Sequence, residues 1–235
     1  MTIKGCLFDF SGTTFRVEPT VTWLRGALAE ADVTAPEEDV ERYARLLEEA
    51  GALPGGLPPR AVPDHLRAAW EVRDLDADRH RTAFVALARE VALPWPQLYD
   101  VLYERHMSPR AWRPYADTAG VLAALRERGV RTGVLSNIGW DLRPVLRAYG
   151  VDRDVHAVVL SYEEGVQKPD PKIFRIGCER LGLAPQEVLM VGDSAEADGG
   201  ATAIGCAFHQ VEHLPVDRRP DGLRPVLDLV GRLGG

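Results

Sequence analysis

The chain has 235 residues, of which 46% are hydrophobic, and its 35 acidic and 28 basic residues leave a formal net charge of −7. This length and composition are typical of a folded protein with one large or two smaller domains. The basic residues are dispersed among acidic ones, no apolar run reaches the roughly 20 residues of a membrane span, and the first residues lack a cleavable signal pattern. We therefore expect a cytoplasmic protein with no nucleic-acid partner and no membrane association.

The first predicted element is an apolar strand that begins near Cys6 and ends on Asp9, before a Gly/Thr turn. A strand without polar side chains is typical of a parallel sheet that is covered on both faces. Open α/β sheets bind ligands at the carboxyl ends of their strands. Asp9 is therefore a candidate nucleophile.

Between Thr14 and Trp112 the strand signals disappear and amphipathic helices take over. The spacing of Thr34 and Glu37 predicts a capping box at the start of one helix, and apolar residues at helical spacing predict another helix over Asp78–Val91. We predict a helical cap over residues 15–112, inserted after the first strand. The alternative is a set of helices that simply pack on the sheet.

From Tyr115 onward the chain alternates between helix and strand. Asp117–Arg128 is predicted as a helix, Val130–Leu135 as a strand, Asp170 as the cap of a further helix, and Val188–Val191 as the next buried strand. Such alternation predicts an α/β fold with a Rossmann-like parallel sheet and helices on both faces. The catalytic core is predicted to combine residues 1–14 and 113–235.

Polar residues also follow later apolar strands, in the order Ser136 with Asn137, Lys168, and Asp193 with Asp198. Together with Asp9, this series resembles the four motifs of the haloacid dehalogenase superfamily, whose members are mostly phosphatases that work through an aspartyl intermediate. The resemblance extends from Cys6 to Gly205. Each motif alone is weak, whereas four in the right order are fairly specific.

A convergence of Asp9, Asp193 and Asp198 would gather about three negative charges in one cleft, which requires a cation. Carboxylate oxygens suit Mg²⁺, so we predict Asp9 and Asp193 as direct Mg²⁺ ligands. The resemblance implies that the backbone carbonyl of Ser11 is a third ligand. It also implies that Asp198 orients Lys168 or bound water.

The phosphoryl group of a substrate needs positive charge and hydrogen-bond donors. Lys168 supplies the charge, and Ser136 with the backbone amides near Asn137 supplies donors ahead of the next helix. We assign Gly12 and Thr13, which follow the nucleophile, to the same phosphate-binding site.

Ser11 departs from the pattern of the superfamily. Phosphatases of this superfamily usually carry a second Asp two residues after the nucleophile, where it protonates the leaving group and later activates water. A serine hydroxyl cannot do this at neutral pH, and general acid/base catalysis contributes about 10² to 10⁴ in rate. If this step limits turnover, Ser11→Asp is expected to raise the hydrolysis of esters with poor leaving groups.

Three functions follow from these residues. The leading one is a Mg²⁺-dependent hydrolase of a small phosphorylated metabolite, acting as a monomer or homodimer through an aspartyl phosphate on Asp9. A haloacid dehalogenase is the second, although Gly192 and Asp193 keep the acidic residue that dehalogenases alter. The third, left open by Ser11, is a catalytically weak protein that binds a phosphorylated ligand.

Two further sets of residues complete the sequence-based expectations. His209 and His213 lie in a strand that runs into a loop, and we interpret them as structural or solvated. Candidates for contact with a leaving group are Arg16, Trp23, Arg25, Trp140 and Asp141.

Overall fold

The computed structural model describes residues 2–233, which form a parallel sheet, a two-stranded ribbon and helices around them. The strands are β1 (Gly5–Phe8), β2 (Phe15–Val17), β3 (Trp112–Pro114), β4 (Arg131–Ser136), β5 (Ala157–Leu160), β6 (Val188–Gly192) and β7 (Ala207–Gln210). The helices are α1 (Thr20–Glu30), α2 (Glu37–Glu49), α3 (Arg67–Glu71), α4 (Ala77–Glu90), α5 (Leu98–His106), α6 (Thr118–Glu127), α7 (Arg143–Ala148), α8 (Ser161–Glu164), α9 (Pro171–Leu181) and α10 (Pro225–Leu233).

The main sheet has the strand order β5-β4-β1-β6-β7, and each neighbouring pair is parallel. Phe8, the last residue of β1, pairs with Val134 in β4 and with Val191 in β6. The chain segments that follow these three strands therefore leave the sheet side by side at one edge. The predicted α/β fold with a Rossmann-like parallel sheet is confirmed.

Alternate side chains of the central strand are buried on opposite faces of the sheet. Leu7 belongs to an apolar cluster with Phe174 of α9 and Met190 of β6. Phe8 belongs to a larger cluster that extends through Trp112 into the helices between β2 and β3. Burial on both faces explains why β1 contains no polar residue.

The helices α1 to α5 lie between the two strands of the antiparallel ribbon, in which Val17 pairs with Trp112. Helix α4 begins one residue before the predicted start, and the Asp76 side chain caps it by accepting a hydrogen bond from the backbone of Arg79. The predicted capping box at the start of α2 is wrong. Pro36 occupies the N-cap position there, and no side chain caps the helix.

The three cysteines Cys6, Cys178 and Cys206 are buried free thiols. Between residues 2 and 233, no helix combines the length and the hydrophobicity that a membrane span requires.

Candidate active site

Asp9 directly follows β1, and a tight turn holds it there. Its backbone N–H donates to the carbonyl of Val191 at 2.9 Å, and the Thr14 hydroxyl donates to the Asp9 carbonyl at 2.9 Å. Gly12 has a φ of +79°, and a Cβ on this residue would lie 2.7 Å from Oδ2 of Asp193. Glycine at position 12 thus allows both the turn and the close approach of Asp193.

Lys168 is the central cation of the site, with a side chain only 3% exposed. Its Nζ donates to Oδ1 of Asp9 at 2.7 Å and to Oδ1 of Asp198 at 2.6 Å. Burial alone would lower the pKa of the ammonium, but the carboxylates of Asp198 and Asp9 raise it by more, so Lys168 remains charged. Asn137 fixes the lysine backbone from both sides, donating to its carbonyl at 2.9 Å and accepting from its N–H at 2.7 Å.

Asp193 follows β6 and is held by two side chains. Oδ1 accepts from the Thr13 hydroxyl at 2.9 Å, and Oδ2 lies 2.5 Å from Nδ1 of His213. Burial raises the pKa of Asp193, but the hydrogen bond and the charge of His213 lower it by more. The pKa therefore lies below its usual value, and the carboxyl group stays ionised.

One carboxylate oxygen each from Asp9, Asp193 and Asp198 lies within 4.8 Å of the others. The pKa of Asp9 is raised to about 7, mainly because the carboxyl group is buried; Lys168 lowers this pKa, and the charges of Asp198 and Asp193 raise it. The three carboxylates carry more negative charge than Lys168 can balance, and their oxygens are suitable ligands for a divalent cation such as Mg²⁺. Asp198 uses Oδ1 for Lys168 and Oδ2 for the backbone N–H of Ser194 at 3.0 Å, an arrangement that suits an orienting role.

Ser11 has a contact that the sequence did not predict. Its hydroxyl donates to the backbone carbonyl of Gly55 at 2.8 Å, and Gly55 lies in the loop between α2 and α3. The side chain at the position where the resemblance implies an acid/base residue therefore ties this loop to the turn after β1. Arg16, one of the candidates for leaving-group contact, also approaches the Gly55 carbonyl, at 3.4 Å.

His213, interpreted from the sequence as structural or solvated, lies at the site, where its ring bridges Asp193 and the guanidinium of Arg16. A second residue that sequence reasoning missed is Arg219, which donates to the carbonyls of Gly12 and Thr13. Both residues follow β7 in an irregular segment without a motif, so the sequence carried no signal for them.

The other predicted residues fall into two groups. Ser136 and Trp140 line the same cleft as Asp9 and are buried. By contrast, Trp23 is part of the apolar core, and the exposed residues Arg25 and Asp141 form ion pairs with Glu37 and Arg143 respectively.

The cleft above Asp9 has a volume of about 330 Å³ and lies between the sheet and the segment of the chain that contains α2, α3 and α4. Its floor contains the catalytic candidates Asp9, Ser11, Ser136, Asn137, Lys168, Asp193 and Asp198. Its roof contains the loop at residues 51–58 and the side chains of Trp70, Arg73, Asp74, His80 and Phe84. A small molecule bound there would be enclosed by both parts of the chain.

Comparisons with known proteins agree with this arrangement. The family model of haloacid dehalogenase-like hydrolases matches residues 3–203. A glyceraldehyde 3-phosphate phosphatase of Methanopyrus kandleri is 40% identical over 189 residues, which cover 77% of this chain and 81% of that protein. An (S)-2-haloacid dehalogenase of a Pseudomonas species is 37% identical over 92 residues, which cover 39% of this chain and 40% of that protein.

Similar solved structures also include both a phosphatase and a dehalogenase. A HAD phosphatase from Thermococcus onnurineus has a TM-score of 0.56 and 26% identity, covering 89% of this chain and 86% of that one. A dehalogenase has a TM-score of 0.63 and 25% identity, covering 89% of this chain and 84% of that one.

Proposed function

The chain belongs to the haloacid dehalogenase-like hydrolase family, and we propose that it is a Mg²⁺-dependent phosphatase of a small phosphorylated metabolite. Asp9 is the nucleophile, and the helices α1 to α5 act as a cap over the cleft. Asp193 is the residue that favours phosphatase chemistry, because haloacid dehalogenases proper alter the acidic residue at this position and attack a carboxylate substrate without metal. Here the carboxylate is present beside Asp9, ionised, and held by Thr13 and His213.

The residues around Asp9 divide the chemical work. Asp9 and Asp193 would hold Mg²⁺, with the Ser11 carbonyl as a third ligand. When bound, the ion supplies positive charge to the phosphoryl oxygens. Lys168 adds a second positive charge at Asp9, while Ser136 and the amides near Asn137 donate hydrogen bonds to the phosphoryl oxygens.

The reaction then has two displacements at phosphorus. A carboxylate oxygen of Asp9 forms a bond to phosphorus as the ester P–O bond breaks, and the leaving oxygen takes its proton from water because the Ser11 hydroxyl is not acidic enough. In the second displacement, water attacks phosphorus, and the Asp9 carboxylate leaves. The net reaction consumes one water and yields an alcohol and inorganic phosphate.

Covalent trapping tests this proposal directly. The enzyme is mixed with an aryl phosphate and Mg²⁺, quenched in acid, and analysed by mass spectrometry of its peptides. We expect one phosphoryl group on the peptide that contains Asp9, and none in Asp9→Asn. The matched control Asp152→Asn, which changes an exposed aspartate, should retain it.

Steady-state assays separate the other two functions. Turnover of the aryl phosphate should require Mg²⁺ and stop in excess chelator. Chloride release from 2-chloropropionate that persists in chelator would establish the dehalogenase instead. Tight binding of phosphorylated metabolites without any turnover would identify a binding protein.

A further inference from the structure

Asp74 is a buried carboxylate in the roof of the cleft that the mechanism does not use. It lies in the short turn between α3 and α4, and this turn packs against α8 of the core. Its side chain is 5% exposed and lines the same cavity as Asp9 and Lys168. Asp74 therefore faces the space where the leaving group of a substrate on Asp9 would lie.

Within residues 2–233, no group donates a hydrogen bond of normal geometry to the Asp74 carboxylate. Nη2 of Arg73 lies 3.2 Å from Oδ2 as an ion pair, and Nε2 of His80 is 3.8 Å from Oδ1, which is too long for a hydrogen bond. Asp74 lines the cleft, so a molecule that binds there displaces water from its carboxylate. Such a molecule must donate a hydrogen bond in place of that water, because a carboxylate left without a donor is costly.

Arg73 determines what kind of donor fits. Its guanidinium stacks on Trp70 at 3.8 Å and donates to the Trp70 carbonyl at 2.7 Å, so the cation is held beside Asp74. The charge of Asp74 is thus already balanced. An uncharged donor preserves this balance, whereas an ammonium group would place a second positive charge beside Arg73.

We propose that Asp74 accepts a hydrogen bond from a hydroxyl group on the leaving group, so that the substrates are hydroxylated alkyl phosphates such as polyol or sugar phosphates. This inference rests on the proposed phosphatase function and adds the substrate class to it. Asp74 is here a specificity residue, distinct from the residues that act on phosphorus.

Three esters of equal length test the inference: propyl phosphate, 2-hydroxyethyl phosphate and O-phosphoethanolamine, which end in methyl, hydroxyl and ammonium. A hydroxyl bound to a charged acceptor should favour 2-hydroxyethyl phosphate over propyl phosphate in kcat/KM by roughly 10- to 100-fold. Asp74→Ala should bring this ratio close to one, and the isosteric Asp74→Asn should reduce it severalfold. Intrinsic differences between the leaving groups cancel when wild type and variant are compared.

The exposed Asp78, four residues away, provides the matched control. Asp78→Asn should keep the wild-type ratio, and all variants should hydrolyse an aryl phosphate at similar rates. If Asp74→Ala does not fold, the wild-type ratio and Asp74→Asn still decide the question.

The possible failures are distinguishable. No hydrolysis of the aryl phosphate would refute the phosphatase function itself. Hydrolysis of the aryl phosphate with a hydroxyl-to-methyl ratio near one, or a high ratio that persists in both Asp74 variants, would overturn the role of Asp74. A preference for O-phosphoethanolamine that disappears in Asp74→Asn would show that Asp74 binds an ammonium group rather than a hydroxyl, and would overturn the substrate class.

Discussion

Contrary to the expectation from the sequence alone, the structure predicts that Ser11→Asp slows the hydrolysis of alkyl phosphates. The Ser11 hydroxyl donates to the Gly55 carbonyl at 2.8 Å. An ionised aspartate has no proton to donate, so it would present oxygen lone pairs to this carbonyl and repel the loop. It would also add negative charge beside Asp9 and Asp193, whose carboxylates already lie within 4.8 Å of each other.

Ser11→Ala measures the contribution of the hydrogen bond between Ser11 and the Gly55 carbonyl, here called the tether, without added charge. A hydrogen bond of this kind contributes a net stabilisation of about 0.5 to 1.5 kcal/mol. If the loop must be closed in the transition state, its loss lowers kcat/KM by roughly 2- to 13-fold. Ser11→Asp loses the same bond and adds repulsion, so its kcat/KM should fall below that of Ser11→Ala.

The assay compares kcat/KM for ethyl phosphate and for an aryl phosphate at saturating Mg²⁺ across pH. Thr202→Ala is the matched control, because the Thr202 hydroxyl donates to the carbonyl of Gly199 at 2.8 Å on an exposed surface. It should leave both kinetic constants unchanged. A Ser11→Asp enzyme that hydrolyses ethyl phosphate up to about 10²-fold faster than wild type, with a smaller gain for the aryl ester, would refute the tether and restore an acid/base role at this position.

Further predictions concern stability and closure. Lys168→Met should lower the free energy of unfolding by about 3 to 5 kcal/mol, because two buried carboxylates lose their cation. Since burial raises the pKa of Asp9 to about 7, protonation relieves this loss, and thermal denaturation should show a smaller effect at pH 5 than at pH 8. Mg²⁺ at ten times its dissociation constant should stabilise the protein by about 1.4 kcal/mol, or roughly 3 to 6 °C in Tm, and Asp193→Asn should abolish the shift. Gly139→Ala places a Cβ against the His80 side chain and should lower kcat/KM for all esters by holding the cleft open, without lowering the Mg²⁺-induced shift in Tm.

The floor of the cleft was predictable from the sequence because parallel strands impose it. Once β1, β4 and β6 are neighbours, the residues that follow them must meet at one edge, which places Asp9, Ser136 and Asp193 together. The sheet was predictable because its strands are short apolar runs that alternate with helices. The helix starts carry recognisable caps, such as Asp170, which accepts a hydrogen bond from the N–H of Lys172 at 2.8 Å. The order of the motifs then indicated the family.

The roof of the cleft was not predictable in this way. Gly55 and Asp74 lie in the connections between α2, α3 and α4, and their distance from the sheet depends on how the helices pack rather than on strand register. His213 lies in an irregular segment after β7, and nothing in its local sequence distinguishes it from a solvated histidine. Side chains that reach a site from loops carry no periodic signal, so their contacts appear only in three dimensions.

Ser11 and Asp74 act on the substrate in separable ways. The loop at residues 51–58, which contains Gly55, is part of the roof of the cleft for every ester. Ser11→Ala should therefore lower kcat/KM for methyl- and hydroxyl-ended esters alike and leave their ratio unchanged. Asp74→Asn should change the ratio and spare the aryl ester. If the two contacts are independent, their effects on 2-hydroxyethyl phosphate add in free energy within about 0.5 kcal/mol in the double variant. A larger deviation would mean that the Gly55 loop and the turn that carries Asp74 close over the substrate as one unit, and that the wall of the cleft itself contributes to the selection of a hydroxylated leaving group.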